Sequence, residues 1–589
     1  MSAAPAARAS PPSIRILAPE VAARIAAGEV IERPVSVVRE LLDNALDSGA
    51  TRITVEVEGG GLTLLRVTDD GRGIPPEQVE LAFERHATSK ITAVDDLRHV
   101  RTLGFRGEAL PSVAAAADVE VVTRVATEPV GVQVTYVDAR LVRRQAKAAP
   151  VGTSFSVRDL FERLPARRKF LGQPGSEQRQ ITTLVSQYAL AYPDVAIALV
   201  VAGRPVLRTS GDGSIRYAFA AIHDATTAAA MLEVEQDDGA CRVSGLASPP
   251  ALHRGNRSGI SVFVNGRWVQ SRPLTYAIVD AYQAQLPIGR HPIAAIRLTV
   301  PDEEVDVNVH PAKAEVRFRD ERAAGRAVRN AVQRALDGAG AVSWLPKPPP
   351  SAPTSLWAPP SGPSLRDRLQ PPPALRPPAP LQAELTGLQG PVAALRPHRD
   401  LLPLLRVVGQ LGSTYVIAEG PDGMYLVDQH AAHERVVYDR ILARQNTTAA
   451  SQPLLDPVML ELDAIAFAAY LEHAAHLAAF GLDAEPFGER TCVIRGVPAG
   501  LGGLDIVSAV RALLEQLASD RRVPDPLGRA AATVACHSSV RAGQALATDE
   551  MRRLIEDLGK TDSPRTCPHG RPTLVHVGTE LIERQFGRR

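Results

Sequence analysis

The chain lacks the features of a secreted or membrane protein. Its 589 residues include four cysteines, Cys241, Cys492, Cys536 and Cys567. These are too few and too scattered for a disulfide framework in a chain of this length, which points to a reducing compartment. No apolar run approaches the length of a membrane span, and residues 1–13 lack the charged start and apolar core of a signal peptide. We therefore expect a cytoplasmic protein with a short disordered leader at residues 1–13.

A net excess of charge is also missing. The 66 Lys and Arg residues and 65 Asp and Glu residues give a formal net charge of +1, which excludes a uniformly basic protein that coats nucleic acid. Any contact with DNA must come from local patches. The chain is longer than one hydrophobic core supports, and its 45% hydrophobic and 22% charged residues are ordinary for globular domains. Several domains are therefore expected.

Residues 34–49 contain the first candidate site. Apolar positions recur there at steps of three and four residues: Val38, Leu41, Leu42 and Ala45. With a proline at the start and a glycine at the end, this spacing predicts one amphipathic helix. Glu40, Asn44 and Asp47 stack on the opposite side, where a carboxylate and an amide can face one ligand. The polar face of a single helix is more often solvated, so a functional interpretation needs support from the neighbouring segments of the chain.

A glycine-rich turn and a glycine-flexed loop come next. Residues 52–57 and 62–68 predict a hairpin whose second strand runs into Asp69, Gly71 and Gly73. Glycines let the backbone approach a ligand closely, and an ionised aspartate suits an exocyclic amine. Residues 103–110 then form a loop that opens into a helix, whose free N–H groups and positive dipole end suit a phosphate.

In this order and spacing, the three elements resemble the ATP site of the GHKL superfamily, which includes gyrase B, Hsp90 and histidine kinases. Three stretches narrow the resemblance to the MutL family of DNA mismatch repair proteins: residues 25–34, 85–90 and 104–110. The resemblance implies an α/β sandwich of the GHKL (Bergerat) type that binds ATP with Mg²⁺ and hydrolyses it. A chaperone of the Hsp90 type or a topoisomerase subunit would also fit this ATP site and remains an alternative function.

The resemblance also implies a role for each residue of the nucleotide site. Asn44 would ligate Mg²⁺, Asp69 would bind the adenine amine, and Glu40 would act as general base on the attacking water. Lys313, in the loop after a strand that begins at Val305, would stabilise charge on the terminal phosphate. The further nucleotide contacts expected are Gly71, Gly73, Thr88, Lys90, Gly104, Phe105, Arg106, Gly107 and Thr153.

The expected architecture is multidomain α+β. We expect the ATPase domain at residues 14–224, a second domain resembling part of ribosomal protein S5 at 225–340, and a C-terminal α+β domain at 401–589. Residues 341–400 hold 16 of the 48 prolines. A segment so rich in proline cannot bury a core, which predicts a flexible, partly extended tether.

A second candidate site lies beyond the tether. Residues 407–419 and 423–427 are predicted to be two strands, the second of which delivers Asp428 and His430, with Glu434 four residues further on. A carboxylate, an imidazole and a second carboxylate could converge on one cation. Any one of these groups alone is more often an ordinary surface side chain.

Three groups far downstream extend this second site. Cys536 precedes a histidine, and Cys567 and His569 share a tight turn with proline and glycine. Together with the preceding motif they resemble the endonuclease site of those MutL members that nick DNA. The resemblance implies that Asp428, His430, Glu434, Cys536, Cys567 and His569 bind catalytic Mn²⁺ or regulatory Zn²⁺. Two positions depart from the family pattern: Asp439 stands where a glutamate is usual, and Ser539 stands where a small apolar residue is usual.

The resemblance also implies partners. Gln452–Pro457 resembles the peptide by which such proteins dock on the replication sliding clamp, and helices predicted at residues 504–517 and 550–558 fall in a domain that forms a homodimer in the family. DNA, a mismatch sensor of the MutS type and association with the nucleoid during repair are expected, and no membrane. Two functions stay open: an ATPase that also nicks DNA, and an ATP-dependent matchmaker that recruits other enzymes.

Overall fold

The computed structural model of the chain describes residues 31–90, 103, 107–239, 241–286, 290–306, 316–340, 402–445, 451–498, 506–519, 528, 531–532, 535, 545–586 and 588. Several expectations fall on residues outside these ranges. They are the leader, the tether, the loop residues Gly104, Phe105 and Arg106, and the side chains of Lys313, Cys536 and Ser539.

An eight-stranded sheet forms the first part of the chain. Its strands are β1 (Arg52–Glu58), β2 (Leu64–Asp69), β3 (Asp118–Arg124), β4 (Gly131–Val137), β5 (Arg140–Lys147), β6 (Gly152–Arg158), β7 (Ala196–Val201) and β8 (Arg204–Arg208). Their spatial order is β5-β4-β3-β6-β2-β1-β7-β8. In β1, Ile53, Val55 and Val57 alternate with polar residues and are buried, so one face of the sheet forms the core. The predicted hairpin of β1 and β2 is confirmed, with Ile53 opposite Asp69.

The helices of this part are α1 (Pro34–Asp47), α2 (Ala109–Ala116), α3 (Pro165–Arg168) and α4 (Pro174–Ala191). The predicted helix at residues 34–49 is confirmed as α1, which begins at Pro34 after the extended residue Arg33. Its apolar stripe is buried as expected: Val38, Leu41, Leu42 and Ala45. The helix therefore packs by one side on the core and leaves its polar side toward the candidate nucleotide site.

A smaller sheet forms the second part. Its elements are α5 (Ile215–Ile222), α6 (Ala225–Ala230), β9 (Leu232–Asp237), β10 (Arg242–Ala247), β11 (His253–Arg254), β12 (Ile260–Val264), β13 (Arg267–Val269), α7 (Arg272–Ala281), β14 (His291–Pro292), β15 (Ala294–Thr299), β16 (Val305–Asp306), β17 (Arg317–Phe318) and α8 (Glu321–Gly340). Five strands run in the order β13-β12-β15-β10-β9. The core of this part includes Ile278 on α7, Ile296 on β15 and Val328 on α8, all fully buried.

The C-terminal part contains two sheets. Its elements are β18 (Arg406–Leu411), β19 (Tyr415–Gly420), β20 (Gly423–Asp428), α9 (Gln429–Gln445), β21 (Ser451–Glu461), α10 (Ala464–Ala479), β22 (Asp483–Phe487), β23 (Thr491–Pro498), α11 (Ile506–Ser519), α12 (Thr548–Gly559), β24 (Leu574–Gly578) and α13 (Thr579–Gln585). The sheets have the orders β18-β19-β20-β24 and β21-β23-β22. The helices predicted at residues 504–517 and 550–558 are confirmed as α11 and α12.

One strand prediction was wrong in the C-terminal part. Residues 407–419 were expected to form a single strand, but they form the hairpin of β18 and β19 with a turn at Gly412 and Ser413. Both turn residues have positive φ, of 59° and 52°, which a continuous strand does not allow. The second predicted strand is confirmed as β20 and ends at Asp428.

Candidate active site

The polar side of α1 carries a group of interacting charges. Lys90 Nζ donates to Asn44 Oδ1 at 2.9 Å and to Asp47 Oδ2 at 2.5 Å. Both acceptors are half-buried, and Glu40 is half-buried one helical turn earlier on the same side. A cationic group therefore contacts this amide oxygen, which is compatible with the expected role of Asn44 as an Mg²⁺ ligand.

Asp47 organises this site, a role that the sequence did not reveal. Besides Lys90, its carboxylate accepts a hydrogen bond from the Leu103 amide at 3.1 Å, and Arg72 donates to its backbone carbonyl. Asp47 thus joins the helix, the residue before the glycine loop and the turn after β2. The only sequence signal was its place seven residues after Glu40 on the same helix face.

Asp69 ends β2 in the middle of the sheet, where Thr153 of β6 pairs with it. Its Oδ1 accepts hydrogen bonds from the Gly71 amide at 2.9 Å and from Ser48 Oγ at 3.5 Å. Burial raises the pKa of Asp69 to about 6, although the backbone groups of Gly71 and Thr153 act to lower it. The carboxylate is therefore ionised at neutral pH and can accept a hydrogen bond from a base amine.

Glycine is required at two positions after Asp69 because neighbouring atoms lie too close for a side chain. A Cβ atom on Gly71 would lie 1.8 Å from Ser48 Oγ, and one on Gly73 would lie 2.2 Å from the Arg124 carbonyl oxygen. Gly73 also has a φ of +73°, a conformation that other residues rarely adopt. The backbone consequently folds tightly against α1 and β3 beside Asp69.

The described parts of the loop that is expected to bind phosphate lie beside the 85–90 segment. The Gly107 carbonyl accepts a hydrogen bond from the His86 amide at 3.1 Å, and α2 begins two residues after Gly107. Thr88 Oγ1 accepts from the Lys90 amide at 3.2 Å. The 85–90 segment, the start of α2 and the polar side of α1 thus come together in the structure.

A second cluster lies where α9 meets the turn that precedes β24. Side-chain donor atoms of Glu434, Cys567 and His569 all lie within 4.8 Å of one another. Glu434 and Cys567 are 4% and 2% exposed, and His569 lies at the surface. Burial raises the pKa of the Cys567 thiol, and the neighbouring Glu434 carboxylate raises it further. A buried carboxylate, a thiol and an imidazole in one place form a donor set that fits Zn²⁺.

The other predicted metal ligands lie on either side of this cluster. His430 Nε2 lies 3.2 Å from Glu434 Oε1, one turn earlier on α9. Asp428 Oδ1 accepts hydrogen bonds from the amides of His430 and Ala431, at 2.9 and 3.0 Å, so the carboxylate caps the N-terminus of α9. Asp428 is not among the three groups that converge, and Cys536 lies outside the described residues.

Comparison with known proteins gives three consecutive family matches along the chain. Residues 29–157 match the histidine kinase-, DNA gyrase B-, and HSP90-like ATPase model, residues 219–337 the C-terminal domain of DNA mismatch repair proteins, and residues 408–546 the MutL C-terminal dimerisation domain. The DNA mismatch repair protein MutL of Symbiobacterium thermophilum is 39% identical over 98% of this chain and 100% of its own length. That of Methanoculleus marisnigri is 40% identical over 98% of this chain and 99% of its own.

The chain belongs to the MutL family of DNA mismatch repair proteins. It has a GHKL ATPase domain, which implies binding of ATP with Mg²⁺, and a C-terminal dimerisation domain, which supports a homodimer. The expected multidomain α+β fold is confirmed. A solved structure, the Aquifex aeolicus MutL ATPase domain complexed with ADP, aligns with 51% of this chain and 97% of that chain at 24% identity and a TM-score of 0.37.

Family membership removes the chaperone and topoisomerase alternatives.

Among the helices that the structure describes, none is long and apolar enough to cross a membrane.

Asp439, which departs from the MutL pattern, has a clear structural role. Arg435 Nη1 donates to its Oδ1 at 3.1 Å, and the Asp562 amide donates to its Oδ2 at 2.8 Å. Arg435 Nε also donates to the Thr566 carbonyl at 2.7 Å. The shorter acid therefore still fastens the segment before Cys567 to α9, and so holds the thiol beside Glu434.

The segment that resembles a clamp-binding peptide lies in β21. Its pairing with β23 shifts register between Pro453 and Val458, so the intervening residues leave the regular ladder. Leu455 is 98% exposed, whereas Leu454 packs against the core.

Proposed function

We propose that the chain is an ATP-driven switch of mismatch repair that also nicks DNA through its C-terminal metal site. The observation that carries the nicking half is the convergence of Glu434, Cys567 and His569 in a chain that has a GHKL ATPase domain. A buried carboxylate such as Glu434 is costly unless it is paired or binds a metal. The thiol of Cys567 and the imidazole of His569 beside it are groups that bind metals.

In the N-terminal site, Asn44 and Asp69 bind and orient the nucleotide. Asn44 Oδ1 would hold Mg²⁺, which supplies neutralisation of the phosphate charges. Asp69 would accept a hydrogen bond from the adenine amine, and the amides of the Gly104–Gly107 loop and α2 would bind phosphate oxygens. Lys90 would exchange its present bond to Asn44 for a phosphate contact. Gly71, Gly73, Thr88 and Thr153 would shape the pocket around the base.

Glu40 would act as the general base of hydrolysis. It projects from the same side of α1 as Asn44, so it can take a proton from water near the terminal phosphate. Lys313, from the second part of the chain, would stabilise the charge that develops on that phosphate. ATP binding would thereby draw two parts of the chain together and close the N-terminal parts of a dimer around DNA.

Steady-state hydrolysis and nucleotide binding test this assignment separately. Glu40→Ala should lose ATP turnover while its dissociation constant for ATP stays within about threefold of wild type, because the base contributes to the reaction and not to binding. Glu58→Ala, at an exposed position at the end of β1, is the matched control and should hydrolyse ATP normally. Wild-type turnover by Glu40→Ala would rule out the assignment.

In the C-terminal site, Glu434, Cys567 and His569 would hold a regulatory Zn²⁺, completed by Cys536. His430 and Asp428, at the start of α9, would bind catalytic Mn²⁺ together with Glu434. A bound metal supplies charge neutralisation at the scissile phosphate. His430 contacts Glu434 already, so the two metal positions would share one carboxylate.

Relaxation of supercoiled plasmid in Mn²⁺ distinguishes nicking from the alternative, a matchmaker that recruits other repair enzymes. We expect wild type to nick and Asp428→Asn not to nick, since the amide is neutral and binds Mn²⁺ poorly. Asp422→Asn, a surface change in the turn before β20, should nick normally. Equal relaxation by wild type and Asp428→Asn indicates a contaminating nuclease, and no relaxation by wild type favours the matchmaker.

The partners proposed for this switch are DNA, a mismatch sensor of the MutS type, the replication sliding clamp and a second copy of the chain. The exposed Leu455 supports clamp docking through Gln452–Pro457. The dimerisation domain supports the second copy. A protein with these partners would act at the nucleoid.

A further inference from the structure

Helix α1 has a second polar contact, at a residue that neighbours Glu40 and Asp47 on the helix surface. Asp43 is one residue before Asn44 and three after Glu40, and it is 2% exposed. Tyr188 of α4, 7% exposed, donates from its hydroxyl to Asp43 Oδ1 at 2.5 Å. A buried carboxylate that accepts a short bond is strongly directional. This bond therefore fixes how α1 is rotated about its own axis.

The second part of the chain reaches the same place. Gly266 lies in the turn between β12 and β13, and Arg267, the first residue of β13, is 9% exposed. A Cβ atom on Gly266 would lie 3.2 Å from the hydroxyl of Tyr192, whose ring centroid lies 6.2 Å from that of Tyr188. The two tyrosines thus stand between the turn and Asp43.

A small cleft of about 20 Å³ joins these groups, and Asp43, Tyr188, Tyr192, Arg267 and Leu103 line it. Leu103 is also the residue whose amide donates to Asp47. Three elements therefore meet at one cleft: the helix that carries Glu40, the residue before the phosphate loop, and a turn of the second part. A directional bond at the point where these elements meet can transmit a movement of the turn to α1.

We propose that the hydrogen bond from Tyr188 to Asp43 positions α1 for ATP hydrolysis, and that the turn at Gly266 and Arg267 acts on this bond through Tyr192. Tyr188 is a positioning residue, since it acts through α1 on Glu40 and Asn44. The apolar stripe of α1 anchors the helix in the core but leaves small rotations open, and a misplacement of 1 Å can cost about 100-fold in rate. The inference rests on the proposed role of Glu40.

Steady-state kinetics of the full-length protein test this inference. Tyr188→Phe removes one hydroxyl, and we expect kcat for ATP hydrolysis to fall about tenfold while KM and the ATP dissociation constant change less than about twofold. A merely structural role would change KM or the melting temperature without this separation. Tyr217→Phe is the matched control, because Tyr217 is 65% exposed, and its kcat should equal that of wild type.

Two further variants address the partner groups. Asp43→Asn keeps an acceptor oxygen and should retain most of kcat, whereas Asp43→Ala should lose about as much as Tyr188→Phe, and the double change no more than either alone. Gly266→Ala places a methyl group against Tyr192 and should also lower kcat at constant KM. It tests the proposal by a separate route if Tyr188→Phe unfolds the protein.

The outcomes distinguish this inference from the proposed function. If Glu40→Ala is inactive while Tyr188→Phe and Gly266→Ala keep wild-type kcat, the positioning role is wrong and the base assignment stands. If Glu40→Ala hydrolyses ATP at the wild-type rate, both are overturned. A double change whose effects multiply would show that Tyr188 and Asp43 act independently, which also contradicts the inference.

Discussion

Replacing Asp69 by asparagine should separate nucleotide binding from stability. Burial raises the pKa of Asp69 from 3.8 to about 6. The ionised Asp69 side chain is therefore less stable in the folded protein than in the unfolded chain. At pH values above 6, a pKa shift of this size lowers the free energy of unfolding by at most about 3 kcal/mol. Asparagine keeps an oxygen for the Gly71 amide and removes the charge. The melting temperature of the ATPase part should therefore rise, by roughly 5 °C at pH 8.

The sign of the pH dependence is part of this prediction. Folded wild type binds a proton at Asp69 that the unfolded chain has already lost, so this group stabilises the fold below pH 3.8 and the effect disappears as the pH rises through about 6. The advantage of Asp69→Asn should accordingly shrink to less than half between pH 8 and pH 4.5. ATP affinity should meanwhile fall by roughly 10-fold to 100-fold, because a hydrogen bond to a charged acceptor is lost.

Thermal unfolding at the two pH values and ATP titration provide the assay, and Asp70→Asn is the matched control. Burial alone would raise the pKa of Asp70, but the amides of Arg52 and Thr51 outweigh it and lower the pKa. Asp70→Asn should therefore destabilise the protein at pH 8. Equal destabilisation by both changes, or normal ATP binding by Asp69→Asn, would refute the reasoning.

Single groups at the nucleotide site, the metal cluster and β21 give three other predictions. The affinity of the wild-type protein for ATP should fall about tenfold for each pH unit below about 6, where Asp69 takes up a proton. Titration with a fluorescent nucleotide measures this affinity, and an affinity that does not change with pH contradicts the prediction. Cys567→Ser should lower the zinc content of the purified protein, as measured by elemental analysis. Cys492→Ser, at an equally buried cysteine, should not change it, and equal zinc contents in the two variants would exclude Cys567 as a ligand. Leu455→Asp should abolish binding to a sliding clamp, while Leu404→Asp, at a leucine that is 97% exposed, should bind normally; loss of binding by both would point to a general surface effect.

The parts of the fold that were predictable from sequence are those with local signals. Helix α1 has a proline at its first position and a buried apolar stripe, and β1 alternates strictly between buried and polar residues. Strand β5 was missed because nearly all its side chains are exposed, so no alternation marks it. The hairpin at residues 407–419 was predicted as one strand because both halves are equally apolar and the turn is short.

The site was predictable only as far as its residues act through local chemistry. Glu40, Asn44 and Asp69 were predicted from their positions on a helix and after a strand, together with the family resemblance. The partner of Asp43 could not be identified in this way, because Tyr188 lies 145 residues away in the sequence. Nor could the fastening of Asp439 to Asp562, which depends on how α9 meets the segment before Cys567. Such contacts arise from tertiary packing.

The nicking rate of supercoiled plasmid in Mn²⁺, measured with and without ATP for wild type, Glu40→Ala and Asp428→Asn, tests the central claim most directly. We predict that ATP changes the rate of wild type, that Glu40→Ala stays at the ATP-bound rate after a single addition of ATP, and that Asp428→Asn does not nick although it hydrolyses ATP. Nicking by wild type that is the same at every nucleotide concentration would contradict the account.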